Sequence, residues 1–370
     1  MYSQQDLDEA VAAGAIDATA AASLRNYFDG DRSAPAIDEE QFRLVTSFND
    51  IFVSIASAIL LFAVGWIGQS IGKAIGLTVD GLTSQGPSPL APLAVAAVAW
   101  GLATFFTAKR RMALPSILLL LAFVGGVVAT AMIAFAMIAG TNSLDNNQPL
   151  GALLAAGALA SGALGAWLHW RRFHVPITVA AGAATVVGLM VALLVSVLGI
   201  DANVRIVVLI ATLLLGVAVF LFAMRWDSSD QARVTRRSDV AFWLHLLAAP
   251  MIVHPVFTLL GLNDGRATIG EGLVVILLYV VLAIAALAID RRALLVSALA
   301  YVLYALTELF KQIGAVELSV ALTALVIGSA LLMLSAYWHQ ARRLVVVRLP
   351  QALQGRLPLL DRVPTLQPAA

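Results

Sequence analysis

Residues 109–140 read KRRMALPSILLLLAFVGGVVATAMIAFAMIAG: three basic residues, a proline at the fourth position after them, and an apolar run closed by glycine. An α-helix rises about 1.5 Å per residue, so a hydrocarbon layer of about 30 Å takes about 20 apolar residues. Residues 113–140 exceed that length without a single charge, so they read as a membrane-spanning helix behind a basic anchor. The anchor recurs. Arg-Arg pairs stand at Arg110-Arg111, Arg171-Arg172, Arg236-Arg237, Arg291-Arg292 and Arg342-Arg343, separated by 61, 65, 55 and 51 residues. Each interval holds two spans and a turn, so every second loop is marked as lying on one side of a bilayer.

Working outward from 113–140, runs of adequate length fall near 50–72, 90–107, 150–170, 175–199, 203–224, 239–261, 269–289, 292–312 and 315–337. The second span, 90–107, is short. The segments are continuously apolar rather than alternating, which favours helices over barrel strands. The chain is 61% hydrophobic and 12% charged over its 370 residues, against about 25% charged in a soluble domain. The expected fold class is all-α: a polytopic membrane helix bundle of about ten transmembrane helices.

Charge sidedness sets the expected orientation. Nineteen of the 23 Lys and Arg residues fall on the N-terminal segment, the even-numbered loops and the C-terminal tail; the other side holds Lys73, Arg205, Arg266 and Lys311. The positive-inside rule then places both termini in the cytoplasm. Pro115 and Pro176 follow the basic loops, where a first helical turn tolerates proline's missing donor. The likeness of those two loops admits a duplicated hairpin or one physical solution reached twice.

Three regions are expected: a cytosolic helical hairpin and linker at 1–48, a membrane domain at 49–340, and a basic interfacial tail at 341–370. The hairpin divides at Gly14, with Ser3 and Asp17 as N-caps and Leu7, Val11, Leu24, Tyr27 and Phe28 as an apolar seam. So small a unit buries little core alone and calls for a docking surface or a protein partner. The tail mixes Arg with Leu and Val, suiting anionic headgroups. The tryptophans sit mostly near span ends, as interfacial anchors do.

The segment Ala13-Gly14-Ala15-Ile16-Asp17, the entry Phe48-Asn49-Asp50-Ile51-Phe52 and the tail with Leu349-Pro350 and Leu357-Pro358 resemble bacterial membrane proteins of the domain of unknown function 2157 group. The resemblance covers the whole layout. It implies a multi-pass protein of the bacterial inner membrane and carries over no catalytic residues.

Polar residues on apolar spans are the candidates for function. Ser297, Tyr301, Tyr304, Glu308 and Lys311 project within an arc of roughly 80° at 100° per residue. One reading makes them a polar pathway with Glu308 as a protonatable carboxylate, because intramembrane ionisable groups are costly and mark routes. The other places Glu308 at the outer interface, paired with Lys311 and wetted. On the seventh span His245 and His254 suit a proton relay, or packing with backbone hydrogen bonds. Their separation of nine residues turns an ideal helix by about 180°, unless Pro250 and Pro255 alter it. In the fourth span, Gly157, Ser161 and Gly165 form a ridge for close helix packing, within the bundle or at a dimer contact.

The absences narrow the classes. There is no cysteine, and no phosphate loop, dinucleotide fingerprint, His-Glu-x-x-His or Gly-x-Ser-x-Gly occurs. Two histidines without sequence-near acids argue against a metal site. No cofactor, catalytic set or nucleic-acid partner is expected. Two classes remain: a secondary transporter or permease for a small solute or lipid, and a non-transporting scaffold or envelope sensor whose hairpin binds a partner.

Overall fold

The computed structural model describes residues 11–14, 16–23, 48–79, 86–140, 147–199, 203–231, 233, 235–260, 269–312, 314–355 and 357–360. The chain divides into two units, Met1–Arg43 with Asp361–Ala370, and Leu44–Leu360. In the first, Gly14 takes φ +70° and Asp17 caps the following turn, accepting from Ala20 N at 2.5 Å and Thr19 Oγ1 at 2.7 Å. These hydrogen bonds to the charged form hold the exposed Asp17 carboxyl below its ordinary value. Ser3, Leu7, Leu24, Tyr27 and Phe28 lie outside the described residues.

The second unit is helical throughout its described residues. Its ten long helices are α1 (Phe48–Ala74), α2 (Leu90–Phe106), α3 (Ala113–Ala139), α4 (Gln148–Phe173), α5 (Ile177–Leu198), α6 (Val204–Ser228), α7 (Arg236–Leu259), α8 (Ile269–Ile289), α9 (Ala293–Gln312) and α10 (Ser319–Ala336). Each expected span is a helix. Among the described residues nine are long and apolar enough to cross a bilayer, and α2, at 17 residues, is the short one. Two shorter helices follow, α11 (Trp338–Val346) and α12 (Gln351–Gln354). The structural unit therefore continues past the boundary drawn at 341: α11 packs on α8 and buries Trp338, Arg342 and Val346.

The two ends of the bundle turn the chain differently. At one end Gly76, Gly140, Gly199 and Gly314 take positive φ, which costs glycine nothing. At the other, Arg111, His174, Arg233 and Asp290 take φ between 52° and 57°, one in each arginine-bearing loop. A side chain there costs about 1–2 kcal/mol. Three residue types at four positions in the same backbone state favour one physical solution reached repeatedly over a copied hairpin.

Packing follows chain order. Leu61, Ala99, Ala103 and Leu119 join α1, α2 and α3; Leu120, Val124, Ala166 and Ile177 join α3, α4 and α5. A third core ties α5 to α6 and α7, and a fourth, around Val253, Phe257, Val275 and Val302, ties α7 to α8 and α9. The first five helices meet the rest mainly where α5 packs on α6 and α7. Glycines allow the closest approaches: a Cβ on Gly216 of α6 would fall 2.9 Å from Met251 Cβ and 3.0 Å from its backbone carbon. The ridge on α4 faces α3, with Gly157 against Phe135 and Gly165 against Phe123 and Val127, so it packs within the bundle. Outward faces carry rows of large apolar side chains, such as Phe52, Ile55, Ile59, Phe62 and Trp66 on α1. A surface like that belongs in lipid.

Candidate functional site

The polar stripe and the histidines all lie around α7 and α9, which pack together. His254 and Tyr301 meet there, with Nδ1 and the phenolic oxygen 2.6 Å apart. Further along α9, Lys311 Nζ donates to Glu308 Oε1 at 2.7 Å, and Thr307 donates to Thr323 of α10 at 3.2 Å. Tyr304 is 38% exposed, and the Glu308 and Lys311 side chains 24% and 43%. Tyr301 and His254 lie about 16 and 7 Å from the ends of their helices, at about 1.5 Å per residue. The stripe is thus a seam from the middle of α9 to the glycine-turned end. Glu308 is paired with Lys311, and both side chains are partly exposed.

The structure does not bring the two histidines together. His245 is fully buried and faces α6, while His254 is exposed on the far side of α7 beside α9. The half-turn between them persists although Pro250 and Pro255 stand inside the helix. His245 is not held by backbone either: its Nε2 lies 3.2 Å from Asp227 Oδ2, and its Nδ1 has no hydrogen-bond partner.

That contact opens onto a buried ionic cluster at the arginine-rich end. Asp227, Asp290, Arg291 and Arg342 are each no more than 4% exposed. Arg291 grips Asp227 through Nη2 at 2.6 Å and Nε at 3.3 Å, and also donates to Ser238 O at 3.1 Å. Arg233 donates to Asp290 Oδ2 at 2.8 Å and to the carbonyls of Ile289 and Asp290. Trp338 Nε1 donates to Asp290 Oδ1 at 2.7 Å. Arg342 Nε stands 3.8 Å from Asp290 Oδ1, and its two Nη atoms donate to Pro358 O at 2.6 Å and Leu359 O at 3.1 Å. The cluster therefore pins the α6–α7 loop, the α8–α9 loop and the segment after α11 to one another. Burial alone would raise Asp290, but Arg233 and Arg342 outweigh it and hold its carboxyl below the ordinary value. Burial and the neighbouring Arg291 push Arg233 down.

Two expectations change here. Arg291 and Arg342, counted with the anchors that face headgroups, are buried against aspartates. Trp338, taken as an interfacial anchor, is an interior donor. Arg171 and Arg172 remain exposed, and the Arg171 guanidinium lies 4.8 Å from the Trp167 ring centroid, as an interfacial anchor would. The signal missed was acidic: Asp227 and Asp290 interrupt basic stretches at span ends, where a count of basic residues passes over them. Among the described residues no group of three or more His, Asp or Glu is placed to hold a metal.

Ten apolar helices with lipid-type outer faces define a polytopic helical membrane protein. No family model matches the chain, and no curated protein or solved structure matches it either.

Proposed function

We propose that the protein is a secondary permease of a bacterial inner membrane, with both termini in the cytoplasm. The α7–α9 seam is the route for a small polar solute, and the ionic cluster closes its arginine-rich end. The observation that carries this is the His254–Tyr301 contact, which joins a second helix to the stripe of Tyr304, Glu308 and Lys311. Ionisable groups within spans are expensive and are kept where they meet water, one another or a solute. A buried ion-pair network adds little net stability yet is costly to break, which suits a closed state released only when its partners exchange together. Exposed Arg171, Arg172, Arg236 and Arg237 are assigned to anionic headgroups, and the N-terminal segment to a protein partner. The resemblance to the domain of unknown function 2157 group belongs with this proposal.

The packing in chain order favours a second reading, a membrane scaffold. A permease of two inverted halves places its site where the halves face each other, and here they meet mainly around α5, α6 and α7. A thermal-shift screen of the purified full chain against small organic anions, cations and zwitterions separates the two. The permease reading expects a stabilising compound whose effect is lost in Tyr301→Phe and Glu308→Gln. A compound that stabilises both variants as well as it stabilises the parent, or a screen with no stabilising compound, favours the scaffold.

A further inference from the structure

α11 follows α10 after a single residue, Tyr337, whose φ of −107° and ψ of 20° break the helix between them. The side chains of α11 fall on three faces. At roughly 100° per residue Trp338, Arg342 and Val346 lie within an arc of about 80°, and all three are buried. Trp338 and Val346 share a core with Ala286, Leu287 and Ile289 of α8, and Arg342 between them stands 3.8 Å from Asp290. That buried row is about 12 Å long at about 1.5 Å per residue, and it rests against the end of α8. One flank of it carries Val345, Ala341 and Leu344, with Tyr337 before the helix in the same sector. The opposite flank carries His339, Arg343 and Gln340, all exposed. Two residues just past the helix depart from the division. Arg348 falls on the apolar side, where its Nη1 donates back to Leu344 O at 2.7 Å, and Val347 falls at the far edge of the polar side.

A protein-facing row with an apolar flank and a polar flank to either side is the arrangement of a helix lying in the plane of a membrane surface. Such a helix has one side on the bundle, one in the acyl layer and one in water. Continuity supports the acyl side. Leu332 and Met333 are exposed on the outer face of α10, and that apolar surface runs on through Tyr337 to Leu344, which is 55% exposed. Charge supports the kind of surface. Arg343 is exposed, and its side chain makes no hydrogen bond or ion pair among the described residues. Arg171, Arg172, Arg236 and Arg237 are exposed at the same end of the bundle, and a row of such cations is drawn to an anionic leaflet.

We propose that α11 is a membrane-surface helix on the leaflet of the arginine-rich side, with Arg343 among anionic glycerophospholipid headgroups and Tyr337 and Leu344 among the upper acyl carbons. Trp338 and Arg342 of the same helix hold Asp290, so the charge of that leaflet sets how firmly the ionic cluster is closed. The inference does not require transport.

The chain has no cysteine, so Leu344→Cys and His339→Cys each place one nitroxide on the full chain, reconstituted as one copy per lipid nanodisc. Collision with oxygen, which concentrates in lipid, is compared with collision with a neutral water-soluble nickel chelate. The oxygen-to-nickel ratio at Leu344→Cys is expected to exceed that at His339→Cys at least threefold. Replacing half of the phosphatidylcholine by phosphatidylglycerol with the same acyl chains should slow hydrogen exchange of the α11 amides at least threefold. Arg343→Gln should abolish that response, and the exchange of α3 should not change in either protein. Equal ratios at the two nitroxide sites would put Leu344 in water or against protein and overturn the surface helix. A parent that does not respond to phosphatidylglycerol, or an Arg343→Gln variant that responds like the parent, would overturn the anionic leaflet and its link to the cluster.

Discussion

Replacing Asp227 with alanine removes the hydrogen-bond acceptor of two buried groups and a counter-charge 4.0 Å from Arg233 Nε. Arg291 would lose contacts of 2.6 and 3.3 Å and keep only Ser238 O, and His245, whose Nδ1 is already without a partner, would lose its acceptor at Nε2. Breaking a buried pair from one side costs about 3–5 kcal/mol, because the remaining charge stays desolvated. Asp227 is fully buried, so the figure needs no reduction for solvent screening. Unfolding in mixed micelles with rising dodecyl sulfate, followed by circular dichroism, measures the loss. Asp227→Asn, with one neutral acceptor, should lose less. Asp227→Leu combined with Arg291→Met should recover most of the stability, since a hydrophobic replacement of both partners is often neutral. A loss below about 1 kcal/mol for Asp227→Ala would mean a hydrated pair of the surface kind, and the cluster as described would be wrong.

Gly216→Ala should destabilise by about 1–3 kcal/mol, because its Cβ meets Met251 backbone. Gly328→Ala on α10, where nothing lies within 4 Å, should instead gain up to about 1 kcal/mol from helix propensity; equal effects in the same unfolding assay would contradict the packing of α6 on α7. Arg342→Ala frees the carbonyls of Pro358 and Leu359, so the amides of Leu357 and Leu359 should exchange hydrogen faster while those of α3 do not change. Asp290 titrates below its ordinary 3.8, so its ionised form is favoured in the folded state. Its contribution is whole above about pH 4 and is lost as the pH falls through the lower folded value. Thermal midpoints should therefore fall below pH 4 with a shallower slope in Asp290→Asn, and parallel slopes would deny Asp290 that role.

The helices were legible because lipid imposes a length and an apolar composition on every span, and all ten announce themselves that way. The shortness of α2 and the ridge of Gly157, Ser161 and Gly165 also follow from local sequence, while its turning inward to α3 follows from the packing. The stripe on α9 was legible for the same reason, since 3.6-residue periodicity places Tyr301, Tyr304 and Glu308 on one side without knowledge of any neighbour. What could not be read was pairing across helices. His254 finds Tyr301 over a separation of 47 residues, and Arg291 finds Asp227 over 64. A basic residue at a span end looks the same in sequence whether it turns to a headgroup or inward to an aspartate; packing of the neighbouring helix decides. Asp227 and Asp290 were the available hint, acids retained where the local charge favours bases.

Water access to the seam tests the proposed route most directly. The chain has no cysteine, so Tyr304→Cys places one thiol on the seam, and Met333→Cys places one on an exposed apolar face of α10. In sealed, oriented membrane vesicles, a membrane-impermeant maleimide is applied to one side at a time. A water-filled seam predicts labelling of Tyr304→Cys from the side of the glycine-turned loops, none from the arginine-rich side, and none of Met333→Cys from either. If Tyr304→Cys is as unreactive as Met333→Cys, the seam faces lipid or packed protein and the route does not exist.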